Sequence, residues 1–250
     1  MIGKTSWINI LICTAPWDKT PMPESFDPYS KNYNELVDAA ISQTGYDTNS
    51  LVAAKLLKLK HLFPALSDKS FHLLDFGCGV GNLYGRLAEF FPSASYTGVD
   101  LSKASILKAR SRFPDSTNFQ DYDSPEWGTF RYDLIFSSGV FHHIPHAEHA
   151  ELIEKLSSLL NPGGKLVIWE HNPINPITQK IVKDCIFDED AVLVPSKKLR
   201  NHFRRASLSN IQVIYTTFFP KFLSALNFTD PYLGWLPLGG QYVITGENLE

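Results

Sequence analysis

The sequence has 250 residues, of which 44% are hydrophobic and 20% are charged, a composition typical of one large globular domain rather than two independent ones. A formal net charge of -3 and a pI near 6.2 argue against broad electrostatic binding of a phosphate backbone, so no nucleic-acid partner is expected. The three cysteines are widely spaced and form no C-x-x-C pair, which argues against a disulfide framework or thiolate zinc site and fits the cytoplasm.

The N-terminal region shows no readable pattern before Met22, and we predict that residues 1–21 are an extension outside the fold. The apolar run at 7–15 is too short to span a bilayer and lacks a small-residue cleavage site, so stable membrane insertion is not expected. We predict a single domain over 22–250. Its parts are a helical lid at 26–66, a cofactor-binding half at 70–170 and an acceptor-binding half at 171–250.

The elements follow in chain order. Residues 34–62 carry apolar side chains at helical spacing with a break at 45–49, which predicts two helices. From residue 70 onward, short β-branched runs alternate with helical periodicity, and this alternation indicates βαβ units. Strands are predicted at 72–76, 95–99, 118–120, 132–137, 165–169, 211–218 and 241–245, and further helices at 82–91, 102–112, 147–160 and 197–207.

These elements predict an α/β fold. We expect a Rossmann-like, seven-stranded, mostly parallel sheet with helices on both faces, an N-terminal helical lid and an insertion before the last strand. The insertion covers about 219–238 and is rich in proline and aromatic residues. Loops of this length are often functional.

A glycine-rich loop follows the first predicted strand. Gly77, Gly79 and Gly81, with Cys78 between them, lie where a parallel strand ends and a helix begins. Because glycine has no Cβ, a ligand can approach the backbone closely at this turn. This spacing alone does not identify the ligand, since dinucleotide-binding enzymes use nearly the same loop.

Two acidic residues narrow the choice of ligand. Asp75 lies at the end of the first strand, where a carboxylate suits a cationic amine and would repel a pyrophosphate. Asp100 ends the second strand and is suited to accept hydrogen bonds from both ribose hydroxyls. Its alternative role is the N-cap of the helix that begins near Ser102. Asp75 therefore favours S-adenosylmethionine over NAD.

Three further motifs follow in order: Phe119-Gln120-Asp121-Tyr122, the run at 130–144, and the run at 160–170 that contains Asn161-Pro162-Gly163-Gly164. With these motifs the chain resembles the class I S-adenosylmethionine-dependent methyltransferases, in particular the small-molecule-modifying branch, from about Phe26 to Gly246. The resemblance implies S-adenosylmethionine as cofactor and S-adenosylhomocysteine as product.

The resemblance also implies roles for individual residues. Asp75 would place the methionine amino group, and Asp100 with the adjacent Leu101 would bind the ribose. Asp121 would bind the adenine amino group, with Tyr122 beside the ring. The segment after the fourth strand would pass under the cofactor; its expected contacts are Ser137, Ser138 and Val140.

Tyr33 is the candidate for an aromatic lid over the sulfonium. An aromatic face beside a cation is favourable by about 0.5–2 kcal/mol. The alternative is an ordinary tyrosine on a helix surface.

The acceptor side is predicted around two histidines. Transfer to a hydroxyl needs a base near its proton, and an unperturbed imidazole has a pKa of about 6.5. His142 and His143 follow the fourth strand, and His143 is preferred because it matches the more regular family position. Glu170 and His171 end the fifth strand at the same side of the sheet and form a second candidate pair. Each histidine could instead hydrogen-bond a neighbouring loop.

No metal is predicted. His142, His143, His146 and His149 include helical spacings, but Pro145 interrupts the segment and Glu148 is the only nearby carboxylate in the sequence. The expected partner is a small-molecule acceptor, and a homodimer is possible.

The sequence therefore predicts an S-adenosylmethionine-dependent methyltransferase that methylates an oxygen of a small or carrier-linked metabolite, such as a sugar intermediate. An N- or C-methyltransferase is the nearest alternative, because the same cleft would serve either acceptor. A nicotinamide-dependent oxidoreductase and a catalytically inactive adenosylmethionine-binding protein are the more distant alternatives.

Overall fold

The computed structural model describes residues 33–116, 118–185, 188 and 191–250. The predicted extension at 1–21 and the start of the predicted lid lie outside this part of the chain. The strands are β1 Phe71–Phe76, β2 Ala94–Asp100, β3 Phe119–Asp121, β4 Tyr132–Ser138, β5 Leu160–His171, β6 Ser209–Thr216 and β7 Gln241–Glu247. The helices are α1 Tyr33–Ile41, α2 Thr48–Leu62, α3 Tyr84–Phe90, α4 Lys103–Arg112, α5 His149–Ser158, α6 Pro176–Asp184, α7 Ser196–Arg205 and α8 Asp230–Leu233.

The strands form one seven-stranded sheet in the order β3-β2-β1-β4-β5-β7-β6. All neighbouring pairs from β3 to β5 are parallel, whereas β7 runs antiparallel to both β5 and β6. The strand order reverses between β1 and β4, so the loops after these strands diverge and leave a crevice at the carboxyl edge. The prediction of a mostly parallel, Rossmann-like sheet is confirmed.

Helices cover both faces of the sheet, as predicted. One core contains Leu74, Ile135 and Leu166 from the strands and packs against α5 and α7. The other contains alternate residues of the same strands, such as Leu73 and Leu134, and packs against α2, α3 and α4. Because successive strand residues point to opposite faces, a strand that is covered on both sides is almost continuously apolar.

The two N-terminal helices end and begin where the predicted break lies. Gly45 adopts φ +75°, a left-handed conformation that favours glycine and ends the short helical turn after α1. Asp47 then caps α2 by accepting a hydrogen bond from the Ser50 amide. Leu56 and Leu59 of α2 are almost fully buried against the sheet.

Two parts of the chain differ from the prediction. The fifth strand begins at Leu160, before the predicted turn, because residues 160–164 continue the sheet through an irregular register with β4. The polar run from 170 to 178, in the predicted acceptor-binding half, contains the start of helix α6, which was not predicted. Asn175 caps α6, and the Asn172 amide donates to the carbonyls of Pro237 and Gly239, so these polar groups hold the backbone.

The insertion before β7 forms a short 3₁₀ segment, Lys221–Thr229, followed by α8. Its aromatic side chains are largely exposed, with Phe222 80% and Trp235 75% accessible. Within the described ranges, no helix combines the length and apolar character needed to cross a bilayer.

Candidate functional site

A pocket opens at the crevice where the strand order reverses. It contains about 680 Å3 of empty space, part of it open to solvent. The end of β1, the glycine loop, the end of β4 and helix α2 supply its walls. Its lining includes Asp75, Gly77, Cys78, Gly79, Ser138 and Lys55.

The three glycines of the loop have different roles. A Cβ on Gly77 would lie 2.2 Å from Cγ2 of Val140, and a Cβ on Gly81 would lie 2.9 Å from the ring of Phe119. Gly77 and Gly81 are therefore required by the packing of the protein itself, in addition to any ligand. A Cβ on Gly79 would meet no atom within 4 Å, so Gly79 alone faces open space. All three have positive φ.

Asp75 is almost fully buried in the pocket wall, with an exposed fraction of 4%. Burial raises the pKa of its carboxyl to about 7, while the Tyr96 hydroxyl, which donates to Oδ2 at 2.8 Å, opposes this rise. The Lys55 ammonium lowers the same pKa through its charge. A cationic group that enters this pocket would favour the ionised form of Asp75.

Lys55 extends from α2 into the pocket and lies over the Trp169 ring, with Nζ 6.0 Å from the centroid. Burial lowers the pKa of Lys55 to about 8, although the charges of Asp75 and Glu170 act in the opposite direction. The pocket therefore presents both an acid and a base to a ligand.

Asp100 holds the glycine loop. Its Oδ2 accepts a hydrogen bond from the Gly79 amide at 2.8 Å, and its Oδ1 accepts one from the Ser102 amide at 2.8 Å. The N-cap of α4 is Ser102, whose Oγ accepts from the Ser105 amide. The alternative role of Asp100 as the N-cap is therefore wrong. Leu101 beside it is half-exposed.

Asp121 and Tyr122 lie at the end of β3, next to Asp100 in the sheet. The Tyr122 ring packs against Phe76 and Trp127, with centroids 6.0 and 5.5 Å away. Tyr122 therefore contacts the core behind the loop. Its predicted contact with adenine, and that of Asp121, remain predictions.

The end of β4 brings two hydroxyls to the pocket region. The Oγ atoms of Ser137 and Ser138 are buried and have no hydrogen-bond partner within the described part of the chain. Ser138 lines the pocket, so its hydroxyl is available to a polar ligand. Val140 packs on Gly77. Tyr33 is the first residue of α1, and its role as a lid remains a prediction.

Behind Val140, a buried carboxylate organises the turn after β4. Glu170 is 1% exposed, and its Oε1 accepts hydrogen bonds from the amides of Val140 and Phe141 at 3.0 and 2.8 Å. Its Oε2 lies 2.6 Å from Nδ1 of His142. Burial disfavours charge on His142, but Glu170 and Asp188 together raise its pKa to about 10.

Asp188 joins the two histidines from another part of the chain. Its Oδ1 lies 3.3 Å from Nε2 of His142 and 3.4 Å from Nε2 of His143. Burial and the nearby His142 lower the pKa of His143 to about 4. We call His142, His143, Glu170 and Asp188 the histidine cluster. It contains all three predicted catalytic residues together with Asp188, which lies beyond α6.

The neighbouring histidines have other partners. His149 Nε2 lies 2.9 and 3.0 Å from the carbonyl oxygens of Phe141 and Ile144, and His146 Nε2 lies 3.2 Å from the carbonyl of Val192. The His171 ring lies beside the His142 ring, tilted by 57° with the centroids 5.1 Å apart. Burial lowers the pKa of His171 to about 4.

Sequence reasoning missed Lys55 and Tyr96, and it did not pair Asp188 with the histidines. Lys55 lies in a helical pattern of several lysines, and nothing in its spacing distinguishes it from a surface residue. Tyr96 alternates with core residues of β2 and gives no separate signal. Asp188 is one of several acids in a polar run, and only the fold brings it to the histidines.

Part of the chain matches known proteins in sequence. Residues 74–166, from β1 into β5, match a protein-family model described as a methyltransferase domain. Over 98 residues, the chain is 40% identical to trans-aconitate 2-methyltransferase of Escherichia coli. The aligned part covers 39% of this chain and 38% of that relative.

Solved structures share the fold over most of the chain. A structure from Thermotoga maritima, described as a S-adenosylmethionine-dependent methyltransferase and possible histamine N-methyltransferase, aligns with a TM-score of 0.64 and 16% identity, covering 90% of this chain and 99% of its own. Human N-acetylserotonin methyltransferase in complex with S-adenosylmethionine aligns with a TM-score of 0.60 and 13% identity, covering 92% of this chain and 60% of its own.

Proposed function

We propose that this chain, whose residues 74–166 match a family model described as a methyltransferase domain, is an S-adenosylmethionine-dependent methyltransferase that acts on an oxygen of a small or carrier-linked metabolite. When bound, the cofactor supplies a methyl group that its sulfonium already activates for in-line displacement. The protein then needs to bind the cofactor, align the acceptor, exclude water and promote loss of the acceptor's proton.

The observation that carries the proposal is the polarity of the glycine-loop pocket. Asp75 lies in its wall, Gly79 leaves open space at its floor, and the Ser138 hydroxyl has no partner among the described residues. A buried acid suits the methionine amino group and would repel a pyrophosphate at the same place. The pocket therefore supports S-adenosylmethionine rather than a nicotinamide dinucleotide.

Lys55 supplies the positive charge that a pocket for an amino-acid group needs beside the negative charge of Asp75. The methionine part of the cofactor carries an ammonium and a carboxylate on one carbon, and the pocket presents Asp75 and Lys55 together. We assign the ammonium to Asp75 and the carboxylate to Lys55. Charge-assisted hydrogen bonds of this kind contribute about 1.5–3 kcal/mol each.

The histidine cluster supports an oxygen acceptor. A hydroxyl must lose its proton during transfer, whereas a neutral amine can attack without a strong base. His142 and His143 follow β4, which ends at the pocket, and Glu170 lies in the neighbouring strand β5. We propose that these three residues, together with Asp188, face the acceptor. The matched relative is named for trans-aconitate, a molecule whose heteroatoms are all oxygens.

We expect the full chain to bind S-adenosylhomocysteine in isothermal titration and to show no binding of NADH under the same conditions. The acid in the pocket wall is the reason for this selectivity. Absence of S-adenosylhomocysteine binding at millimolar ligand would contradict the cofactor assignment. Stronger stabilisation by NADH in a parallel thermal-shift measurement would favour an oxidoreductase instead.

Substitution of Gly79 with alanine is expected to weaken S-adenosylhomocysteine binding at least tenfold while lowering the free energy of unfolding by only about 1–2 kcal/mol. The new Cβ clashes with no protein atom but occupies the space that faces the ligand. Titration and urea denaturation of the same variant measure the two effects.

Two further glycines serve as controls. Gly77→Ala should mainly reduce stability, because its Cβ would lie 2.2 Å from Val140. Gly128→Ala should leave cofactor affinity unchanged, since Gly128 lies in a 3₁₀ turn away from the pocket wall and its Cβ meets no atom within 4 Å. If Gly79→Ala binds S-adenosylhomocysteine as tightly as the wild type, the loop does not face the cofactor.

A further inference from the structure

The histidine cluster has the composition of a metal site. Nε2 of His142, Nε2 of His143 and a carboxylate oxygen of Asp188 lie within 4.8 Å of one another. Two imidazoles and one carboxylate are a common set of protein ligands for catalytic zinc, which keeps a fourth position open.

The distances from Asp188 to the two histidines are longer than a charge-assisted hydrogen bond and match the spacing of ligands that share one ion. A charge-assisted bond between imidazolium and carboxylate spans about 2.7–2.9 Å. His142 makes such a short contact with Glu170, at 2.6 Å, but its other nitrogen and that of His143 lie 3.3 and 3.4 Å from Asp188. Two ligands of one tetrahedral Zn²⁺, each about 2.1 Å from the ion, are separated by about 3.4 Å. Ligands at right angles in an octahedral site would be only about 3.0 Å apart.

Glu170 provides a second, independent indication. Histidine ligands usually donate their other ring N–H to a carboxylate, which fixes the tautomer and the orientation of the ring. Glu170 occupies this position at Nδ1 of His142 and is itself held by the amides of Val140 and Phe141. Nε2 of His142 is thereby directed to Asp188.

The backbone holds Asp188 in place from both sides. Its amide donates to the carbonyl of Cys185 at 3.1 Å, and the amide of Val192 donates to the carbonyl of His142 at 2.8 Å. Val192, four positions after Asp188, is therefore tied to the turn that carries the histidines. Two carboxylates, Glu170 and Asp188, lie in this weakly exposed region, and a divalent cation would neutralise their charge.

We propose that His142, His143 and Asp188 bind one Zn²⁺ ion, with Glu170 orienting His142 and the fourth position left to water or to an oxygen of the acceptor. This site differs from the prediction made from the sequence, which included no metal. The contact between the ion and the acceptor rests on the proposed function, whereas the cation site itself does not depend on the cofactor. In this arrangement the histidines are ligands, and a bound hydroxyl loses its proton more readily because the ion polarises it.

Titration of Zn²⁺ into the chelator-treated full chain tests the proposal. We expect saturable binding of one ion per chain. Asp188→Ala and His143→Ala should each weaken it at least tenfold, and Glu170→Gln should weaken it about 10- to 100-fold. His61→Ala, which removes an exposed histidine of α2, is the matched control and should leave Zn²⁺ affinity unchanged.

S-adenosylhomocysteine binding, measured on the same samples, shows that each variant is folded and separates the two proposals. A chain that binds S-adenosylhomocysteine but takes up no Zn²⁺, or binds it equally well after Asp188→Ala, overturns the metal site alone. A chain that binds Zn²⁺ in the expected pattern but no S-adenosylhomocysteine overturns the proposed cofactor and leaves the metal site standing.

Discussion

Replacement of Glu170 with alanine is expected to lower the free energy of unfolding by about 4 kcal/mol, because removal of one partner from a buried ion pair leaves the other without compensation. Glu170 is 1% exposed and accepts hydrogen bonds from the amides of Val140 and Phe141 in addition to pairing with His142. Its loss would leave the two amides and the His142 ring nitrogen without their common acceptor.

Glu170→Gln should have a smaller effect, about 2 kcal/mol. The amide oxygen of glutamine can still accept from the two backbone amides, and its NH2 group can donate to a neutral His142. Only the charge interaction is then lost. The difference between the alanine and glutamine variants therefore measures how much the backbone amides depend on this side chain.

Urea denaturation of the wild type and both variants provides the measurement, with an unchanged m-value as the check on two-state behaviour. Glu154→Ala is the matched control, since Glu154 is exposed on α5 and its substitution should change stability by less than about 0.5 kcal/mol. A loss below about 1 kcal/mol for Glu170→Ala would contradict a central role for Glu170 in this turn.

Replacement of Asp100 with alanine is expected to weaken S-adenosylhomocysteine binding about 100-fold, equivalent to about 2.8 kcal/mol. We assign both ribose hydroxyls to this carboxylate, and each charge-assisted bond contributes about 1.5 kcal/mol or more. The same carboxylate holds the amide of Gly79, so its loss should also loosen the glycine loop, which we propose to face the cofactor.

A shorter ligand separates the two ends of the cofactor. 5′-Methylthioadenosine retains the ribose and adenine but lacks the methionine ammonium and carboxylate. Asp100→Ala should weaken the binding of both ligands, whereas Lys55→Met should weaken only S-adenosylhomocysteine. Isothermal titration of each variant with each ligand gives the four affinities. An equal effect of Lys55→Met on both ligands would exclude Lys55 as the partner of the carboxylate.

Local sequence patterns predicted most of the fold. Apolar runs and their stop signals placed all seven strands within a few residues, because a strand covered on both faces must be apolar along its length. Helix α6 was missed, since its cap, Asn175, resembles an ordinary turn residue until the following backbone is seen to be helical. The boundary before β5 was also misplaced, because Tyr132 of β4 pairs with Leu160 and extends the sheet.

The glycine loop shows how far a motif can be interpreted. Its spacing indicated a ligand-binding turn at the end of β1, and Asp75 indicated a cationic group. The motif could not distinguish Gly79, which faces open space, from Gly77 and Gly81, which accommodate Val140 and Phe119. That distinction depends on side chains 38 or more positions away in the chain, whose approach only packing determines.

The sequence by itself determined the sheet, the position of the ligand-binding edge and the two acids that flank the glycine loop, because these depend on periodicity and on residues close together in the chain. Only the tertiary structure decided which groups meet in the histidine cluster. Glu170 reaches His142 across two neighbouring parallel strands, and Asp188 reaches both histidines from beyond α6. Such contacts join residues far apart in sequence, and no local pattern records them.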